Sequence, residues 1–331
     1  MELPGESTEP VKIEKRGLSE LLEDMAKTGF QGRKLGEAFQ VWKNMLEDKE
    51  VTIFLGLSGA MVPAGMRRVI SYLIRNNYID VIVSTGANIF HDIHEALGGK
   101  HYLGSAHVDD IALLRHGIDR IYDVFAEEEK FRKSDRLIAE ISEELPSDRE
   151  FSSREFINHL GKRLIERGAA EDSIIVSAIE SKLPIFIPAL GDSSIGIGLM
   201  IARRTGVNII INQMKDVDEI TKIVEQAEKT GVIYIGGGVP KNFIQQTEVI
   251  ASILGFRVNG HEYAIQFTTD APHWGGLSGC TFEEAVSWGK ISVTSKKVQV
   301  FVDATIALPV VVNALEELGI ERKRSNASFL D

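Results

Sequence analysis

The chain has 331 residues, 44% of them hydrophobic and 26% charged, which suits one large α/β domain or two smaller ones with an ample core. Its net charge of −11 argues against a general nucleic-acid binder, which is more often basic, and suits cationic partners such as polyamines or basic protein surfaces. The single cysteine, Cys280, excludes an intrachain disulfide and a cysteine-based zinc cluster, and fits a reducing, cytoplasmic setting. No apolar run reaches about 18 residues, so no membrane-spanning helix is expected. The polar opening MELPGESTEPVKIEKRG lacks the apolar stretch of a secretory signal.

In chain order, residues 1–16 read as a loose arm, followed by helical stretches near 18–29 and 34–47. Together they make an N-terminal unit over 1–48, ahead of an α/β domain expected over 49–320 and a tail over 321–331. Short apolar runs rich in β-branched and aromatic residues follow: VTIFLGL (51–57), DVIVST (80–85), IFIPAL (185–190), VNIII (207–211), VIYIGG (232–237), YAIQFTT (263–269) and VQVFVDA (298–304). Helical periodicity marks Met66 to Arg75, Val217 to Lys229, Lys241 to Leu254 and Thr305 to Leu318. Strands apolar on both faces and separated by helices predict a doubly wound, mostly parallel sheet with helices on both faces. The stretch from about 108 to 180 has little strand signal and reads as a charged helical insertion.

Ligands of an open parallel sheet bind beyond the carboxyl ends of its strands. Small residues collect at those ends here: Gly56-Leu57-Ser58-Gly59, Ser84-Thr85-Gly86-Ala87-Asn88, Gly191-Asp192-Ser193-Ser194, Gly236-Gly237-Gly238, Thr268-Thr269-Asp270 and Asp303-Ala304-Thr305. Any one of them is ordinary turn chemistry. Six in one sheet suggest a dinucleotide-sized site, where small residues let the backbone approach a ligand and helix N-termini meet phosphate. The first strand-to-helix turn is not GxGxxG and no Walker A motif is present, so the residues leave the nucleotide open.

Near the end of the chain, Gly275-Gly276-Leu277-Ser278-Gly279 precedes Glu283-Glu284-Ala285-Val286-Ser287-Trp288-Gly289-Lys290. A neutral lysine in such a place can attack a carbonyl or imine carbon and hold it as a Schiff base. The plain alternative is a cation at a helix C-terminus, complementing the dipole. Glu284 has its own plain role, since Thr281-x-x-Glu284 has the form of a capping box.

With the strand ends, the segments GGGVPK, TDAPHWGGLSG, EEAVSWGK and VFVDAT resemble the deoxyhypusine synthases, in the same order from about residue 50 to 318. AVSWGK is the most specific of them. The resemblance implies a Rossmann-like fold, NAD as cofactor and a homotetramer. It also implies oxidation of spermidine, capture of the butylamine fragment as an imine on an enzyme lysine, and transfer to a lysine of a translation initiation factor precursor. Carried over by position, Lys290 is the imine-forming lysine, and Trp288 and Glu284 line the polyamine tunnel. The cofactor segments fall on Ser58, Gly59 and on to Pro63, on Thr85, Gly86 and Ala87, on Asp192, on Gly236, Gly237 and Gly238, on Thr269 with Asp270, and on Asp303 with Ala304.

The chain departs from that pattern at the substrate positions. Ile197 and Leu277 stand where the family has acidic residues, Gln266 replaces a tunnel tyrosine, Asn242 a base-like histidine and Gln246 a tunnel asparagine. His91 replaces the acidic residue beside the nicotinamide. Two carboxylates that would pair with spermidine's ammonium ends are thus absent, each worth about 1.5–3 kcal/mol as a charge-assisted hydrogen bond. Spermidine in the family's usual pose is expected to bind poorly, while the lysine and cofactor frame remain.

His91, His94 and Glu95 share a helix face, with His101, His107, Asp109 and Asp110 beyond, a spacing able to bind zinc or manganese. A polar helix rim explains it as well. We expect no metal there and a proton-handling role for His91. His273 and Trp274 precede GGLSG and are candidates to line the same pocket, and Cys280 reads as a packed residue. The functional expectation is NAD-dependent aminobutyl transfer through an imine on Lys290, with His91 or Glu284 managing protons. Alternatives are homospermidine formation on a small diamine, a metal-dependent amine or guanidine hydrolase, and an NAD-binding homologue without catalysis. Neither nucleic acid nor membrane is expected as a partner.

Overall fold

Six of the apolar runs assemble into one parallel sheet in the computed structural model, which describes residues 5–323. The first four residues of the expected arm and residues 324–331 of the expected tail lie outside the described residues. The elements are α1 (Leu18–Met25), α2 (Phe30–Glu47), β1 (Val51–Leu57), α3 (Arg67–Arg75), β2 (Val81–Ser84), α4 (Gly86–Ala96), β3 (Tyr102–Leu103), α5 (Asp110–Arg115), β4 (Ile118–Ile121), β5 (Val124–Glu127), α6 (Glu128–Ser142), β6 (Glu150–Phe151) and α7 (Ser153–Glu166). They continue with α8 (Ile174–Glu180), β7 (Ile185–Phe186), α9 (Ser194–Arg204), β8 (Ile210–Ile211), α10 (Gln213–Gln226), β9 (Lys229–Ile235), α11 (Gly238–Ile253), β10 (His261–Thr268), α12 (Phe282–Ser287), β11 (Ile291–Phe301) and α13 (Ala304–Glu316). The sheet order is β11-β10-β9-β1-β2-β7, every pair parallel.

Alternation along the strands sorts their side chains onto two faces. Ile53, Leu55 and Leu57 of β1, Ile82 of β2, Ile233 and Ile235 of β9, and Ile265 and Phe267 of β10 join one core cluster. That cluster takes in Phe39 and Trp42 of α2, Ile70 and Leu73 of α3, Ile89 and Ile93 of α4, and Leu308 and Val311 of α13. Their neighbours Phe54, Val81, Val83, Val232, Tyr234 and Ala264 point the other way, against Ile220 and Ile223 of α10, Ile244 of α11, and Phe282 and Ala285 of α12. Burial on both faces explains why these strands read as continuous apolar runs.

Three stretches differ from expectation. VNIII does not enter the main sheet: only Ile210–Ile211 is extended, and it pairs with Glu150–Phe151 in a separate two-stranded piece. Its β-branched residues favour a strand, but β7 closes that side of the large sheet. The stretch after residue 108 is not purely helical, because β4 and β5 form an antiparallel hairpin joined by β3. Arg322, placed by the sequence in the tail, is buried: it bonds to both carboxylate oxygens of Asp80 at 3.0 and 2.7 Å and to the carbonyls of Asn77 and Val51. Among the described residues no helix is long and apolar enough to cross a membrane.

Candidate active site

The chain runs from β1 outward to β2 and β7, then returns to place β9 on the other side of β1. The two directions part between β1 and β9, the kind of switch point at which open α/β sheets bind ligands. There Ser58 Oγ donates to Gly237 O at 2.6 Å, and the Ser58 amide donates to Ile235 O at 3.0 Å. Gly236 and Gly238 take φ values of +70° and +57°, a conformation that favours glycine. A Cβ on Gly237 would come 2.4 Å from Ser278 Cα, so this turn touches the loop after β10, whereas the space beside Gly238 is open.

The neighbouring strand ends join this rim. Asn88 donates to Gly59 O at 2.8 Å and to Thr85 Oγ1 at 3.1 Å, and its own Oδ1 accepts from the Met61 amide. A Cβ on Gly86 would lie 2.2 Å from Ser193 Oγ, so the ends of β2 and β7 meet. Pro63 and Ala304 are buried, while Ala87, Asp192, Thr269, Asp270 and Asp303 are exposed along the same edge. Helices α4, α9, α11 and α13 all start here, with their free N–H groups directed to the rim. Asp303 caps α13, its Oδ1 accepting from the Thr305 amide at 2.8 Å and hydroxyl at 2.7 Å.

Lys290 lies elsewhere on the sheet. Helix α12 ends at Trp288, Gly289 turns the chain at φ +69°, and Lys290 stands just before β11, at that strand's amino end. Its carbonyl accepts from the His261 amide, and its side chain reaches α11, where Nζ donates to Asn242 Oδ1 at 3.1 Å. The same Nζ sits 5.3 Å from the centroid of the largely exposed Trp288 ring. The sequence's lysine, tryptophan and Asn242 are therefore together. Of the capping box only half is made: Thr281 Oγ1 accepts from the Glu284 amide. The Glu284 carboxylate instead acts on Cys280 and Lys241.

Lys241 is the residue the sequence reading missed. It is 1% exposed, with Nζ donating to Gln266 Oε1 at 2.9 Å and Cys280 O at 2.6 Å. Burial pushes it down to about 8, opposed by Cys280 and Glu284 and assisted by the charge of Lys290. Its position directly after the glycine turn, in GGGVPK, was the available signal. Gln266, expected to face substrate, is turned inward. Its amide donates to Gly236 O and Ser278 O at 2.7 and 2.8 Å, and its Oε1 accepts from Lys241 and Gln299. All four of its hydrogen-bonding positions are used.

A cavity of about 270 Å³ opens between α10 and α11. Ile220, Val239, Phe243, Ile250 and Leu277 wall it, Asn242 and Gln246 are among its polar groups, and no lining residue is charged. Ile197 does not line it; it is 51% exposed on α9. His273 and Trp274 lie in an exposed turn after β10 and are not part of its wall either.

His91 belongs to the opposite face of the sheet, on α4, whose Ile89 and Ile93 enter the other cluster. Within one chain it is not brought beside Lys290 or Glu284. Its Nδ1 is 3.1 Å from His101 Nε2, and Phe90 and Phe131 pack edge-on against its ring. Burial, then His101 and His94, push it down to about 3. Glu95 is engaged by His101 and Arg67, and His94 Nε2 faces Lys100 O.

The comparisons with known proteins agree with this architecture. A family model for deoxyhypusine synthase matches residues 20–315. "Probable deoxyhypusine synthase 2" of Methanosarcina mazei is 67% identical over 322 residues, 97% of this chain and 93% of that protein. The Archaeoglobus fulgidus protein of the same name is 60% identical over 91% of this chain and 98% of its own length. The solved structure of a candidate deoxyhypusine synthase from Entamoeba histolytica superposes with a TM-score of 0.64 at 18% identity, covering 94% of this chain and 96% of that one. On these matches, the chain belongs to the deoxyhypusine synthase family.

Proposed function

We propose that the protein is a transferase that uses NAD to move an aminobutyl group from a spermidine-like polyamine, through an imine on Lys290, to an acceptor amine. The observation that carries this reading is the placement of Lys290 Nζ, held by Asn242 against Trp288, in a chain of this family. The acceptor is a lysine of a translation initiation factor precursor, as the family name implies.

The rim between β1 and β9 fits a dinucleotide. Gly238 leaves the backbone open, Ser58, Thr85 and Gly86 keep the edge low, and helix N-termini favour phosphate. Exposed Asp192, Asp270 and Asp303 supply acceptors for ribose hydroxyls. Bound there, NAD would take a hydride from the carbon next to the amine nitrogen and later return it. Lys290 attacks the oxidised carbon and releases a diamine, and Trp288 covers the aliphatic chain.

Large apolar side chains stand exposed around the site: Ile197, Met200, Val239, Trp274, Leu277 and Trp288. With Lys290 and His91 on opposite faces of one sheet, this supports a homotetramer in which other copies cover the site and exclude water. A monomer at micromolar concentration by light scattering would count against that assembly.

The decisive test is borohydride reduction with NAD and a labelled polyamine, followed by peptide mapping. Label is expected on Lys290, and label on another lysine would relocate the site. Supplying putrescine in place of the protein acceptor separates deoxyhypusine formation from homospermidine formation by product analysis.

A further inference from the structure

Helix α4 and the loop after it bring His91, His101 and Glu95 into one line. Glu95 Oε1 lies 2.7 Å from His101 Nδ1, and His101 Nε2 lies 3.1 Å from His91 Nδ1. The ring of Phe131, from α6, lies 5.3 Å from that of His91 and 6.1 Å from that of His101, which fixes their planes. With both rings neutral, these contacts also set the hydrogens. A carboxylate only accepts, so His101 carries its hydrogen on Nδ1. A neutral His101 then has a bare Nε2, which only the Nδ1–H of His91 can fill. The remaining ring nitrogen, His91 Nε2, is bare and has no hydrogen-bond partner among the described residues.

The geometry points to a proton relay in which His91 Nε2 takes a proton from the substrate and His101, paired with Glu95, stores it. The inference rests on the function and the assembly proposed above, in which a second copy of the chain brings the reacting amine to His91. An ammonium nitrogen must lose a proton before its lone pair can help expel hydride from the adjacent carbon. That proton bonds to His91 Nε2. The Nδ1–H bond of His91 breaks as an Nε2–H bond forms on His101. His91 ends neutral with its tautomer reversed, and His101 becomes an imidazolium beside a carboxylate. No electrons are exchanged, and the reverse sequence returns the proton.

The surroundings explain why two imidazoles are needed. Burial and the neighbouring histidines hold His91 down to about 3, so a lasting charge on that ring is disfavoured. One step further on, the charge meets Glu95. The other charged or titratable groups facing the unit are His94 of α4, which burial also lowers; Glu127 of β5, which acts on His94; and Arg67 of α3. Arg67 faces the second oxygen of Glu95 at 3.4 Å but also pairs with Asp172, so its charge is divided between two carboxylates. His101 and Glu95 are positioning residues, acting through His91.

The test has two arms on the full-length protein. With nitrogen-15 histidine labelling, long-range proton–nitrogen correlation reads each tautomer directly. His91 and His101 are both expected as Nδ1–H, and Glu95→Leu should shift part of His91 to the Nε2–H form. An Nε2–H His91 in the wild type, or a pattern untouched by Glu95→Leu, overturns the relay even if the protein transfers no amine at all. The second arm is the pH profile of NADH formation with a polyamine in Glu95→Gln, which keeps the acceptor and removes the charge. The acid limb should move to lower pH by about one unit or more, as expected on losing a directly bonded counter-charge. Glu95→Asp should restore part of the shift, and NAD affinity by fluorescence should be unchanged. A uniform fall in rate with the limb in place would make the cluster a structural support and overturn the proposal. Absence of NADH formation in the wild type, with the expected tautomers, would fault the functional reading instead.

Discussion

The two faces of the sheet handle nitrogen bases in opposite ways. On the α11–α12 face, Lys241 is buried among uncharged acceptors, and Lys290 ends on an amide and an indole. On the α4 face, imidazoles are chained to one another and finally to a carboxylate. Burial on the first face lowers the cost of an uncharged amine at Lys241. The second gives a proton somewhere to go. A transfer reaction that makes and breaks carbon–nitrogen bonds requires both, and the fold keeps them on separate scaffolds.

The largest expected effect would test the first face alone. Lys290→Arg keeps the charge and the contact with Asn242 but cannot form an imine, so borohydride trapping should vanish while NAD affinity stays within a fewfold. Full activity in that variant would return Lys290 to the role of a cation at a helix end.

A second experiment asks whether the buried lysine beside it is held at a cost. The folded value of Lys241, about 8, lies below the ordinary lysine value of 10.5. The unfolded chain therefore binds the additional proton between those limits, and stability rises with pH across that window, by up to about 3 kcal/mol. Urea unfolding at pH 7.5 and pH 10 should show the rise in the wild type and not in Lys241→Met. The variant also leaves Gln266 Oε1 and the Cys280 carbonyl with Gln299 Nε2 as donor in place of two donors each. Equal pH dependence in both proteins would mean the lysine is solvated.

Specificity gives a smaller and sharper comparison. Leu277 lines the uncharged cavity with Asn242, whereas Ile197 stands on α9 away from it. Leu277→Asp should strengthen spermidine binding by about 1.5–3 kcal/mol. Ile197→Asp should match it only in the assembled oligomer. Efficient turnover of spermidine by the wild type would show that other carboxylates serve its ammonium groups. The smallest effect belongs to the rim: Asp303→Ala should cost about 1 kcal/mol of stability through the lost cap of α13, and weaken NAD binding roughly tenfold. A stability loss with NAD affinity intact would leave Asp303 as a cap alone.

The strands of the large sheet were legible because burial on both faces writes itself as unbroken β-branched runs, and their small-residue ends marked the rim. The nearness of Lys290 to Trp288 was legible because only one residue separates them. Lys241 was not, since an isolated lysine reads as solvent-facing, and only its reach from α11 to Gln266 and the Cys280 carbonyl takes it out of solvent. The partners of His91 were hidden for a related reason. Glu95 lies on the same helix, but His101 arrives from a loop whose path no periodicity encodes. Gln266 looked like a substrate contact because it stands where the family has a tunnel tyrosine; alternation along β10 turned it inward instead. VNIII carried the right local preference and the wrong context, since strand propensity does not say which sheet has room.

The buried clasp between Arg322 and Asp80 bears on how the chain is made. Asp80 precedes its partner by 242 residues. During synthesis β1 and β2 leave the ribosome long before the guanidinium that meets this carboxylate. Until then the edge between them holds a charge that the finished protein keeps 1% exposed. Removing the guanidinium from this buried carboxylate, which the Ile53 amide also serves at 2.7 Å, costs on the order of 3–5 kcal/mol. The central strands can therefore begin to pair early, but their register tightens only when almost the whole polypeptide has emerged. Shortening the chain to end before residue 322 should leave a protein that makes its sheet and then fails to hold it.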